Sequence, residues 1–144
     1  MKKLEQITII ISELELFLID RIRELRGRAV PYISQVDLSI KMEYSEGYIG
    51  KVENFKTSSK YNLRSLNLIA NSLGLKSYTE LLPATILKND LLELTIEVKA
   101  SNDRVDFDKN NQVIKNYTII KKRILNKEEI KEFNNRRSKK TLKK

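Results

Sequence analysis

The chain has 144 residues, with 28 Lys/Arg against 19 Asp/Glu and neither cysteine nor histidine. That length gives room for one domain and an appendage, and the missing residue types exclude disulfides, thiol nucleophiles, Cys/His zinc sites and the commonest acid–base catalyst. The net charge of +9 is uneven: residues 1–83 hold 12 basic and 10 acidic side chains, residues 84–144 hold 16 and 9, and six basic residues fall in Arg136–Lys144 alone.

Met1 to Ile11 fits two patterns. Ile7, Ile9 and Ile11 alternate as in a strand, while Leu4, Ile7 and Ile11 have helical spacing. The apolar run Ile7–Ile11 is broken by Thr8 and followed by Glu13, Glu15 and Asp20. It is too short for a signal-peptide core or a membrane span, so a cytoplasmic protein with no membrane partner is expected. Ser12 opens a capping box with Glu15, and Leu14, Phe17, Leu18, Ile22 and Leu25 repeat at helical spacing. These predict a helix over Glu13–Arg26, with Gly27 ending it and Pro31 barring continuation.

Ser34 is the expected cap of a second helix, with Val36, Leu38 and Met42 facing inward. Ser45 is the expected cap of a third, carrying Ile49 and Val52. Asn62 precedes a fourth with the stripe Leu63, Leu66, Ile69, Ala70 and Leu73, and Gly74 is its stop signal. Ser77 with Glu80 predicts a short fifth helix, and Pro83 closes the helical segment. Beyond it, Leu92, Leu94, Ile96 and Val98 alternate with polar residues as in a half-buried strand. Ser101–Gln112 is polar and turn-like, and Val113–Leu125 supplies a candidate second strand. Asn126 with Glu129 can cap a short helix holding Ile130 and Phe133. A lone hairpin is barely stable in water, so this one must pack on the helices or on a second copy. The chain thus divides into a helical domain at 12–83, an extension at 84–134 and a basic tail at 135–144, the tail read as disordered.

The stretch Ser34–Leu82 resembles the lambda-repressor-like (XRE-type) helix-turn-helix family. The matching residues are Gln35, Leu38 with Ser39, Ile49, Val52, and Glu53 with Asn54, followed by Leu66, Ile69-Ala70, Leu73-Gly74 and Glu80-Leu81. With the first helix added, the resemblance covers a little under half the chain. It implies a mainly α fold: a five-helix helix-turn-helix domain, with a C-terminal extension holding a candidate β-hairpin and the basic tail. It also implies that Glu53 pairs with Arg26 and that Ser39 lets two helices approach closely. Three departures stand out. Glu43 and Phe55 occupy positions where the family has Gly, with Phe55 expected to tuck inward, and the connection Gly27–Ile33 is about two residues longer.

The resemblance further implies a DNA-binding surface. Helix three is its reader of the major groove, through Glu46, Gly47, Tyr48 and Lys51, with Ser45 as cap and phosphate donor. Gln35 is placed to donate its amide to a phosphate. Lys56, Ser58, Ser59 and Lys60 form a phosphate clamp in the loop that follows. Lys51 can donate to guanine, Glu46 can accept from cytosine, and Tyr48 can pack on a thymine methyl. The expected function is a sequence-specific DNA-binding transcriptional regulator acting as a repressor. Its expected partner is double-stranded DNA, bound by a candidate homodimer. The alternative is a non-catalytic protein-interaction module or antitoxin-like subunit on the same helical fold. No paired carboxylates, nucleophile–base set, phosphate-binding Gly loop or metal-ligand cluster stands out, so no enzyme, metal or cofactor is expected.

Overall fold

The computed structural model describes residues 5–99 and 104–142, with 137–142 as backbone only. Its elements are β1 (Glu5–Ser12), α1 (Glu13–Arg28), α2 (Gln35–Lys41), α3 (Tyr48–Glu53) and α4 (Leu63–Ser72). A 3-10 turn at Tyr78–Glu80, β2 (Leu91–Val98), β3 (Tyr117–Ile124) and α5 (Lys127–Leu142) follow. The three strands form one antiparallel sheet in the order β1-β2-β3.

The fold is therefore α+β, which corrects the mainly α expectation. The reason lies in the isoleucine alternation at the N-terminus. β1 pairs with β2 without interruption from Glu5 opposite Val98 to Ser12 opposite Leu91. Ile7, Ile9 and Ile11 then stand beside Ile96, Leu94 and Leu92 on the face that meets the helices. The hairpin gains a third strand and a helical layer, which supplies the apolar cover that an isolated hairpin lacks. Leu4, which belonged to the competing helical pattern, lies outside the described residues.

Two further expectations change. The fifth helix of the helical segment is only a 3-10 turn. The Ser77–Glu80 box forms, with the Ser77 N–H donating to Glu80 Oε2 at 3.2 Å, but Pro83 follows too soon for an α-helical turn to grow. Where a short helix and a separate basic tail were expected, the described backbone is one helix, α5, running 16 residues to Leu142. Asn126 and Glu129 exchange a reciprocal cap, 2.9 and 3.0 Å, and the i,i+4 pair Glu132–Arg136 supports the turns beyond it.

α1 opens on the expected capping box, with Glu15 N–H to Ser12 Oγ at 3.0 Å and Ser12 N–H to Glu15 Oε1 at 3.2 Å. Gly27 does not end it. The helix continues to Arg28, and Gly27 instead makes room for the loop before β3, since a Cβ there would meet Val105 side-chain carbons at 2.6 and 2.7 Å. α1 also anchors that loop by polar contacts. Arg23 donates to the Ile114 carbonyl at 2.9 Å, and the Tyr117 hydroxyl donates to Asp20 at 2.7 Å.

Two apolar clusters share α1. Ile19 joins Ile11, Leu92, Leu94, Ile96 and Tyr117 of the sheet, together with Val52 and Phe55. Leu18 and Ile22 join Leu38, Met42, Ile49, Ile69, Ala70 and Leu81 among the helices. Residues on either side of Pro83 therefore bury one another. Val36 and Leu63, expected to face inward, are exposed. Among the described residues, no helix is long and apolar enough to cross a membrane.

Candidate functional site

α2 and α3 are joined by the turn Met42–Gly47, and this turn sets the angle between them. The end of α2 closes with Glu43 N–H to Ile40 O at 2.9 Å and Tyr44 N–H to Ser39 O at 3.0 Å. That is a Schellman closure, and its pivot is Glu43 at φ +61°, the left-handed region. Glu stands where a glycine would be free of Cβ strain, at a cost of roughly 1 kcal/mol.

A buried polar network then fixes α3 against α1 and α2. The Arg26 guanidinium meets Glu53 through two parallel bonds, Nη2–Oε1 at 2.7 Å and Nε–Oε2 at 3.0 Å, and neither side chain reaches solvent. Gln35 Nε2 donates to the same Oε1 at 2.9 Å. Arg26 also donates to the Tyr32 hydroxyl and to the Ile33 carbonyl. Burial works against the Arg26 charge, but the Glu53 carboxylate outweighs it and holds the guanidinium above its ordinary pKa. Gly50 belongs to this arrangement, because a Cβ there would stand 3.1 Å from Gln35 Oε1. The expected Arg26–Glu53 pair is thus present, while Gln35 directs an amide hydrogen inward to Glu53.

The start of α3 differs from expectation. Ser45 is exposed and precedes a turn, Tyr48 N–H to Ser45 O at 3.0 Å, and the helix begins after Gly47 with no side-chain cap of its own. Ser39 does the capping from across the turn. Its buried Oγ donates to Gln35 O at 2.8 Å and accepts from Ile49 N–H at 3.1 Å. A small residue at that position was legible in the sequence, but the hydrogen bond it would supply was not.

Ile49, Val52 and Glu53 face inward, leaving Ser45, Glu46, Gly47 and Lys51 on the solvent side. No hydrogen bond or ion pair engages the Glu46 or Lys51 side chain among the described residues. Tyr48 is not on this surface. It is half-buried, its ring lies 4.5 Å from Tyr44 and 6.2 Å from Tyr61, and its hydroxyl donates to the Lys60 carbonyl at 3.2 Å. Burial pushes its phenol up from the ordinary value. Tyr48 therefore packs within the helical half through its ring and its hydroxyl. Sequence reading missed this tyrosine ladder, although Tyr44 and Tyr48 at i,i+4 were its signal. Arg64 extends it, stacking over Tyr44 at 5.6 Å.

The loop after α3 is ordered by its own polar groups. Asn54 Oδ1 accepts from Lys56 N–H at 3.0 Å, and Thr57 Oγ1 donates to the Lys51 carbonyl at 2.6 Å. Phe55 is buried beneath, edge-on to Tyr117 at 4.9 Å. Ser58 and Lys56 are exposed, Ser59 and Lys60 partly so. Lys56 pairs with Glu5 of β1, an exposed contact that water and salt weaken readily. Lys60 reaches its neighbour's carbonyl, Ser59 O, at 3.4 Å.

The α2–α3 unit and the loop after it thus carry Lys51 and Lys56, both exposed, and Lys60, partly exposed. Among the described residues no group of His, Cys, Asp or Glu could hold a metal ion. No protein-family model, curated protein or solved structure matches the chain.

Proposed function

We propose that this protein is a sequence-specific DNA-binding regulator of the lambda-repressor-like helix-turn-helix type, working in the cytoplasm as a repressor by occupancy. The observation that carries the reading is the division of α3. Its inner face is locked to α1 and α2 by the Arg26–Glu53–Gln35 network, while Glu46, Gly47 and Lys51 stand outward. A rod held rigidly on one side and polar on the other suits the major groove. Lys51 supplies a donor for guanine, and Lys56 and Lys60 supply charge for the flanking phosphates. Ser45 and Ser58 are exposed and Ser59 partly so, and their hydroxyls suit phosphate contacts.

A fluorescent duplex library titrated across a salt series tests this. Binding should weaken as salt rises, with log K falling about 0.9 per phosphate neutralised. Lys51→Ala should cost roughly tenfold or more on a selected site, and Lys56→Ala with Lys60→Ala should flatten the salt slope. Absence of binding at low salt, or binding indifferent to Lys51, ends the proposal.

A second reading, a protein-interaction module, rests on one specific observation. Val30, Tyr32 and Ile40 are exposed around a cleft of about 640 Å³ between α2 and the end of α4. Substituting Ile40→Glu separates the readings, because loss of a protein complex with duplex binding intact favours the module.

A further inference from the structure

The two edges of the sheet are not alike. β3 carries Lys121-Lys122-Arg123, and its pairing with β2 shifts register between Thr95 and Ile96. A charged, irregular edge of this kind resists the addition of another strand. β1 has none of these protections. From Gln6 to Ser12 it contains no charge and no proline, and its pairing with β2 has no bulge. Among the described residues, no backbone hydrogen bond from outside the sheet reaches Gln6–Ile11.

We infer that β1 pairs antiparallel with β1 of a second copy, joining two protomers through one six-stranded sheet. The strand is its own complement. Any antiparallel register within Gln6–Ser12 sets no charge against another, and Glu5, its one charged residue, already has Lys56 as partner. The self-pairing of β3 would instead crowd two Lys-Lys-Arg runs together, which like-charge repulsion opposes. The side chains agree with the backbone. Ile7 and Ile9 lie on the helix side yet remain half-buried, and Ile10 on the opposite face is 38% exposed. A neighbouring strand would extend apolar cover over all of them. The symmetry axis of such a pair stands perpendicular to the sheet, so both helical layers lie on one side and both α3 starts belong to the same side of the dimer. This inference does not rest on the DNA reading. Were both true, two reading helices would meet a two-fold operator.

Sedimentation velocity of the full chain across the micromolar range tests it. The expected species at high concentration has twice the 16.9 kDa mass. Ile10→Lys should raise the dissociation constant at least about tenfold with an unchanged circular dichroism spectrum, because it charges the unprotected edge. Thr8→Lys, at an exposed position of the same strand, should do likewise. Amide hydrogen exchange of the unaltered chain should show protection of Gln6–Ile11 that grows with concentration, and it decides the matter if both lysine variants unfold. A chain that stays monomeric throughout, or captures only a foreign extended peptide, overturns the inference. So does a dimer that ignores both lysine substitutions but dissociates on Ile120→Glu. Duplex binding measured in parallel keeps the two proposals apart, since a monomer that binds DNA refutes this one alone.

Discussion

Replacing Glu53 with alanine is the sharpest probe of how α3 is held. The substitution removes the acceptor of two Arg26 bonds, at 2.7 and 3.0 Å, and of the Gln35 bond at 2.9 Å. Arg26 has no exposed surface, so its charge would remain out of water with the Tyr32 hydroxyl and the Ile33 carbonyl as the acceptors still in place. Breaking a buried pair by deleting one partner costs about 3–5 kcal/mol. A domain's whole stability is about 5–15 kcal/mol, so the variant should be marginally folded. With a urea slope of about 2 kcal/mol/M, the midpoint should fall by roughly 2 M in equilibrium unfolding followed by far-UV circular dichroism. The double variant Arg26→Met, Glu53→Leu strands no charge and should be more stable than Glu53→Ala. A loss below about 1 kcal/mol for Glu53→Ala, the range of exposed ion pairs, would refute the claim that this network clamps α3.

Three more outcomes follow from single observations. Glu43→Gly relieves the left-handed backbone at φ +61° and should stabilise by roughly 0.5–1 kcal/mol, seen as a higher urea midpoint; a lower midpoint would show that the Glu side chain contributes more than the strain costs. Among the described residues the buried Tyr61 hydroxyl has no hydrogen-bond partner, and burial pushes its pKa well above the ordinary value; Tyr61→Phe should stabilise by about 1 kcal/mol, and a clear loss in thermal unfolding would contradict the orphan assignment. Asp20 has its pKa raised, burial outweighing the opposing pull of Lys115 and the Tyr117 bond. Its contribution to stability is therefore fully present below the unfolded-state value and fades as pH climbs through the raised one. The stability of the parent minus that of Asp20→Asn should fall with rising pH in the window just above the ordinary Asp value, and a difference that rises there would reverse the sign of the argument.

Much of the helical half could be read from local chemistry. Ser12 with Glu15, Asn62 before Leu66 and Ile69, and Asn126 with Glu129 announce helix starts, because caps act over three residues and need no distant partner. Leu38, Ile49 and Val52 mark their inward faces by spacing alone. Other features depended on groups far apart in sequence. Whether Ile7, Ile9 and Ile11 formed a strand or a helix turned on Leu92–Val98 lying beside them, more than 80 residues away. Gly27 reads as a helix stop, and only the approach of Val105 explains why the helix runs past it. The family resemblance put Tyr48 among the groove-facing residues, but Tyr44, Tyr61 and the Lys60 carbonyl draw it inward. Likewise the cap of α3 came from Ser39 on the preceding helix. Sequence by itself settled the starts of α1, α2, α4 and α5 and most of the buried stripes, which arise from bonds and periodicities within a few residues. The sheet, the packing role of Tyr48 and the orientation of α3 were decided by the tertiary structure, because each depends on which distant surfaces come together to exclude water.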